Sequence, residues 1–311
     1  MLIELSNLRG VSGAEKPVRD FILAKLQDFK GEIRVDSIGN LLVRKNYKLN
    51  KNRILLSAHM DEVGLMIVAI TSSGQLKFKT VGGLDHRMLV AKRVIIGDNQ
   101  IPGVIGVKPI HLQKTEEQNK PFPENALLID AGFNSREEAE QQIGIGDYAS
   151  FDSECIYLGN GFYRGKAFDD RVGCLILLNL LLADNEYSFD AVFSVQEEVG
   201  TRGAQVAAYY LQPDYSLILE TTAASDIPGV KKESVTTSLN QGPAISFMDQ
   251  TIMISKKMRT SLVEAAKMAN ISYQFRHFTG AGTEGGVVSL SGKGVQTAVV
   301  SVPCRYIHSP H

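Results

Sequence analysis

Ala191-Val192-Phe193-Ser194-Val195-Gln196-Glu197-Glu198-Val199-Gly200 sets an apolar run directly against two acids and a glycine. The run reads as a buried strand, and Gly200 marks the turn that ends it. Two adjacent carboxylates at the end of a buried strand are costly unless something holds them there. A metal ion is one such thing: one acid binds it while its neighbour handles protons. A solvated acidic turn is the other, and the pair alone does not choose between them.

Around this stretch, strands and helices alternate. A helix is predicted from Asp170 through Ala183, a short one from Thr201 to about Tyr210, and a strand over Ser216–Leu219. A longer helix follows over Lys256–Ala269, with Met258, Leu262, Ala265, Ala266 and Ala269 on one face, and a last strand over Thr297–Val302. Towards the N-terminus a helix is predicted over Glu15–Phe29. Extended segments follow at Glu32–Val35 and Leu41–Val43, joined by a turn in which Gly39 and Asn40 tolerate positive φ, and then a buried strand over Ile54–Ala58. Such alternation predicts an α/β fold, a mixed sheet covered by helices.

From Val68 to about Cys155 the character differs. Short extended runs, among them Val94–Ile96 and Val104–Val107, are broken by many glycines. One short helix is expected over Arg136–Gln142, with Ser135 as N-cap and Glu138 completing a capping box. The organisation expected is a discontinuous α/β domain, residues 1–67 and 156–311, into which a small β-barrel domain, residues 68–155, is inserted.

A chain of 311 residues with 44% apolar and 22% charged residues can bury a substantial core. The net charge of −1 gives no electrostatic case for nucleic acid or an anionic membrane. Cys155, Cys174 and Cys304 lie far apart without a CxxC pair, which argues against a disulfide framework or a cysteine zinc site and fits a reducing, cytoplasmic setting. Met1–Gly10 lacks the features of a signal peptide. The longest apolar stretch, Cys174–Ala183, is too short to span a bilayer.

Several acids and histidines share one context. His59 and Asp61 follow the strand ending at Ala58; Glu197 and Glu198 follow the one ending at Val195; Glu220 follows Leu219; His308 follows the last strand; Asp169-Asp170 begin a helix. In an open α/β sheet, ligands gather beyond the carboxyl ends of the strands. Two imidazoles and three carboxylates (His59, His308, Asp169, Glu198, Glu220) suit zinc, cobalt or manganese, and a bridging carboxylate lets such a set hold two ions. Each residue alone has an ordinary alternative; acids at a helix start, for example, complement the helix dipole.

The motifs Gly10-Val11-Ser12-Gly13, Ser57–Gly64, Val81-Gly82-Gly83-Leu84, Gly103–Gly106, Ala167–Gly173, Gln196–Gly200, Gly282-Thr283 and Pro303–Ser309 occur in this order over nearly the whole chain. In them the sequence resembles the TET-type aminopeptidases, dinuclear metallopeptidases of the cytosol that include glutamyl aminopeptidases. The resemblance implies two divalent ions, zinc or cobalt with manganese as a third choice. His59 and Glu220 would bind one ion, Glu198 and His308 the other, and Asp169 would bridge them. Glu197 would act as general base and Asp61 would orient His59. It also implies removal of N-terminal residues from short peptides. The inserted β-domain would build dimers and, in many relatives, a tetrahedral dodecamer. Many relatives carry Asp where Glu220 stands and they usually carry Asp where Glu284 stands, and they continue past the His308 motif, whereas this sequence ends at His311. Two alternatives remain: a related metal-dependent deacylase or amidohydrolase, and a shell-forming scaffold with impaired catalysis.

Overall fold

The computed structural model describes residues 1–46, 52–115, 120–277 and 279–310. Its frame is an eight-stranded mixed sheet. The first three strands, β1 (Glu32–Val35), β2 (Leu41–Lys45) and β3 (Ile54–His59), come before a closed six-stranded antiparallel barrel. The barrel comprises β4 (Gly64–Ile70), β5 (Leu76–Val81), β6 (Arg93–Ile96), β7 (Ile101–Gly106), β8 (Leu128–Asp130) and β9 (Tyr148–Phe151). A separate hairpin, β10 (Ile156–Gly159) with β11 (Phe162–Arg164), leads back to the sheet. There β12 (Phe189–Ser194), β13 (Tyr215–Ala223), β14 (Ala244–Ile245), β15 (Gln274–Phe275) and β16 (Gln296–Cys304) complete the order β1-β2-β12-β3-β13-β16-β14-β15.

The four strands β12, β3, β13 and β16 run parallel, so their carboxyl ends share one edge. One face of the sheet buries Leu56, Ala58, Ala191, Phe193 and Leu219 against helices α1 (Leu2–Asn7) and α2 (Lys16–Lys25) and a later helix. In chain order the helices continue with α3 (Arg136–Glu140), that later helix α4 (Phe168–Leu182), α5 (Arg202–Leu211), α6 (Lys256–Met268) and α7 (Gly285–Ser289). The opposite face, with Leu55, Val192, Ile218 and Val299, packs on α5, α7 and the segment around Ile252–Ile254. The barrel has its own core, including Leu65, Ile67, Phe78, Val94, Ile105 and Ile129. A barrel closes because every edge strand finds a partner, which removes unpaired backbone.

Four local expectations are refined. The strand carrying Glu220 does not stop at Leu219 but runs to Ala223, paired residue for residue with β16. In α3, Ser135 caps the Glu138 N–H as expected, but the Glu138 carboxylate accepts from the Asn134 N–H and not from the cap residue itself. Helix α6 buries none of its residues: Met258 and Leu262 rest partly on the core, while Ala265 and Ala269 are exposed. Of the Gly39-Asn40 turn, only Gly39 takes positive φ, at 105°.

Candidate active site

The expected residues meet at the shared strand edge. His59 ends β3, and its Nε2 lies 3.3 Å from Asp169 Oδ1 and 3.4 Å from Glu220 Oε1. His308, after β16, places its Nε2 3.2 Å from Asp169 Oδ2 and 3.2 Å from Glu198 Oε1. Asp169 thus offers one oxygen to a His59–Glu220 group and the other to a His308–Glu198 group. The side chains of His59, Asp169, Glu198 and Glu220 are nearly all shielded from solvent.

Both imidazoles are held from behind. His59 Nδ1 lies 3.2 Å from the Asp61 carbonyl oxygen, and His308 Nδ1 lies 2.9 Å from the Gly83 carbonyl oxygen. A carbonyl only accepts, so each Nδ1 is the donor and each Nε2 is aimed at the carboxylates. A Cβ on Gly83 would stand 3.3 Å from His308 Nδ1, so the absence of a side chain there allows the close approach. Fixing a ring through its far nitrogen is a general device of metal-binding histidines.

Asp61 does more than flank His59. Its Oδ1 accepts the Glu197 N–H at 3.0 Å, and its Oδ2 accepts the Glu198 N–H at 3.1 Å and the Ser12 hydroxyl at 2.6 Å. The Asp61 carboxylate therefore ties the two-acid turn to the N-terminal segment, and its Oδ1 stands 3.4 Å from His59 Nδ1. The burial of so many acids has an electrostatic consequence. Burial pushes the Glu197 carboxyl well above its usual range, and lifts Glu198 also, the neighbouring negative groups adding to the effect. Burial raises Glu220 to about 7, against the opposing pull of His59. Burial alone would depress the His308 imidazole, but the Asp169 and Glu198 carboxylates outweigh it and raise it to about 11. Asp169 goes the other way: burial is overcome by the His308 and His59 rings, which hold it below the usual carboxylate range.

Glu197, Glu198 and Glu220 are crowded together in a buried site, where added positive charge would favour their ionised forms. Asp169 Oδ1, moreover, is buried with no hydrogen-bond partner among the described residues. An orphaned anionic oxygen flanked by His and Glu is what a divalent cation satisfies, so the donor set fits metal ions. The ligand atoms of His59, Asp169 and Glu198 lie within 4.8 Å of one another, as do those of His59, Asp170 and Glu220.

Asp170 belongs to the second grouping although sequence reasoning assigned it no role. Its Oδ2 accepts the His59 N–H at 3.2 Å and its Oδ1 accepts the Gly173 N–H at 3.0 Å. Glu284 is also fully buried beneath the site, accepting from the Ser57 hydroxyl at 2.6 Å and from the Ser194 hydroxyl. Ser57 precedes His59 by two residues and Ser194 pairs with His59 across the sheet. The signal for both acids was their position, Asp170 beside Asp169 and Glu284 after Gly282-Thr283.

The chain is similar to known proteins over most of its length. The family model described as M42 glutamyl aminopeptidase matches residues 39–311. A glutamyl aminopeptidase of Lactococcus lactis is 33% identical, covering 98% of this chain and 88% of that protein. Among solved structures, an aminopeptidase of the archaeon Desulfurococcus kamchatkensis is 36% identical with a TM-score of 0.94, covering 99% of this chain and 87% of its own. The TET1 peptidase of Pyrococcus horikoshii, which can assemble into a tetrahedron or a large octahedral shell, is 32% identical with a TM-score of 0.87, over 100% and 93% of the two chains.

Proposed function

From the premise that this chain belongs to the M42 glutamyl aminopeptidase family, we propose that it removes N-terminal residues from short peptides with the help of two divalent metal ions. The observation that carries this reading is the placement of Asp169, one oxygen against His59 and Glu220 and the other against His308 and Glu198. His59, Asp169 and Glu220 would hold one ion, and His308, Asp169 and Glu198 the other. Zinc or cobalt suits these ligands best, with manganese next. Bound ions of this kind lower the pKa of water and polarise a carbonyl oxygen.

Glu197 is the proton carrier in this reading. Its side chain is not used by either ligand group, yet it feels the charges of His59, Glu220 and Glu198. A carboxyl pushed upward by burial is matched to taking a proton from the attacking water near neutral pH and returning it to the leaving amine. Asp61 fixes the Glu197 backbone and, through its own carbonyl, the His59 ring. A deacylase would use similar chemistry on blocked substrates, and a glycosidase would need two carboxylates facing each other across a sugar cleft, for which the two histidines have no use. The six-stranded barrel, which exposes Val68, Val104 and Ile145, would serve dimerisation and larger assembly. Among the described residues no helix is long and apolar enough to cross a membrane. The free cysteines support a cytoplasmic location.

The test is release of chromophore from a panel of aminoacyl substrates by protein stripped of metal and then reloaded. Activity should appear only after reloading, and Glu197→Gln should lower kcat by about 100-fold or more while retaining metal. Hydrolysis confined to N-blocked peptides, or full activity of Glu197→Gln, would sink the proposal.

A further inference from the structure

Four successive backbone N–H groups, from Val195 to Glu198, point away from any strand or helix partner. The parallel strand β12 has ended and α5 has not begun. Backbone donors buried in such a place need acceptors. Here every acceptor is a side chain from the N-terminal part of the chain. Val195 donates to Asn40 Oδ1 at 3.0 Å, Gln196 to Glu15 Oε1 at 3.1 Å, and Glu197 and Glu198 to the two oxygens of Asp61. Asn40 and Asp61 stand beside strands already tied to the sheet. Glu15 does not: it sits at the N-cap position of α2, where its side chain makes no capping bond, and reaches across 181 residues of sequence.

The bond it makes falls at a demanding position. Gln196 holds φ at +56°, in the left-handed region that a residue with a side chain avoids unless its surroundings impose it. That conformation turns the chain between the buried strand and the acid that follows, and so sets the direction in which Glu197 leaves the backbone. Glu15 is itself fixed. It is 4% exposed, and the same Oε1 accepts the Gly13 N–H at 2.7 Å, within the loop whose Ser12 hydroxyl bonds Asp61. Gly13, at φ +95°, has no room for a side chain, since a Cβ would meet the Tyr148 hydroxyl at 2.4 Å.

We propose that Glu15 is a positioning residue for the catalytic turn, holding Gln196 in its left-handed conformation so that Glu197 is aimed at the site. This rests on the reading of Glu197 as the proton carrier. Both bonds use one oxygen of Glu15, so charge is not required, only an acceptor at that point. Glutamine supplies one at the same reach; aspartate is one methylene too short, and alanine has none.

The experiment compares Glu15→Gln, Glu15→Asp and Glu15→Ala in the metal-loaded enzyme. Steady-state kinetics, metal content, melting temperature and amide hydrogen exchange of a peptide covering Val195–Val199 are read together. In Glu15→Ala and Glu15→Asp, kcat should fall by about 10- to 100-fold with KM little changed, the size of effect that follows a misplacement of about 1 Å. Exchange at the turn should quicken while metal content is kept, and Glu15→Gln should recover most of the rate and the protection. If Glu15→Gln is as poor as Glu15→Ala, or if Glu15→Ala and Glu15→Asp keep the wild-type kcat, the proposal is wrong. Loss of metal or a collapse in melting temperature that accounts for the whole loss in Glu15→Asp also overturns it, because the role is then structural. A fully active Glu197→Gln, by contrast, removes the premise and not the link between Glu15 and the turn, which the exchange data read separately.

Discussion

Asp61 accepts the backbone N–H of Glu197 at 3.0 Å, which makes one buried carboxylate the anchor of the residue proposed to move the proton. Its second oxygen takes the next N–H and the Ser12 hydroxyl. Asn at this position keeps the shape but replaces one acceptor by a donor facing donors. With Asp61 0% exposed, the unmet N–H cannot turn to water. Asp61→Asn should therefore destabilise the protein by about 1–3 kcal/mol. It should lower kcat more than it raises KM, read by urea denaturation and kinetics on the metal-loaded protein. A denaturation midpoint equal to wild type would contradict the anchoring role.

Gly173 has no freedom to gain a side chain, because a Cβ there would lie 2.2 Å from Asp170 Oδ2. That oxygen accepts the His59 N–H, so crowding at residue 173 is passed to the backbone of His59, a proposed metal ligand. Overpacking of a buried site typically costs about 1–3 kcal/mol. Gly173→Ala should lose stability on that scale and bind metal more weakly, measured by thermal melts with and without chelator and by metal titration. Unchanged metal affinity would separate Asp170 from the site.

Much of this architecture is legible in the sequence because its signals are local. An apolar run followed by an acid or histidine marks a strand that ends at a site, and the runs before His59, Glu197 and His308 each do so. The extension of β13 through Glu220-Thr221-Thr222 was hidden because its residues are polar. They lie in a strand, and are buried, because β16 pairs with them in parallel and the site needs polar groups there. The roles of Glu15, Asn40 and Glu284 were illegible for a different reason. Each acts across 90 residues or more, and no periodicity reports which backbone N–H or hydroxyl a distant side chain will meet.

Metal uptake should release protons. Without an ion, burial holds Glu197, Glu198 and Glu220 above their ordinary values, and the His308 ring is protonated up to about 11. An ion would take the place of the protons on its proposed ligands Glu198, Glu220 and His308, since ligands must be deprotonated. Apparent affinity should therefore rise as pH is raised from 5 towards 8. Titration calorimetry of zinc into stripped protein near pH 7, in two buffers of different ionisation enthalpy, should give heats that differ by one or more protons released. Equal heats would mean that the carboxylates and rings are already free of protons before the ion arrives.

Glu220 sets a pH dependence of stability that metal should erase. Its carboxyl rises from 4.5 to about 7 on folding because it is buried. A group whose folded value is the higher one contributes stability that is fully present below 4.5 and is lost as pH climbs through 7. The gap corresponds to about 3 kcal/mol at most. In the presence of chelator, wild-type protein should thus lose stability relative to Glu220→Gln between pH 5 and pH 8, because glutamine carries no proton to lose. Urea denaturation at the two pH values measures the difference directly. Saturating zinc should reverse the order at pH 8: the cation stabilises the Glu220 carboxylate and gains less from the amide. If stripped wild-type protein keeps its standing against Glu220→Gln at pH 8, Glu220 does not face the crowded negative site described here.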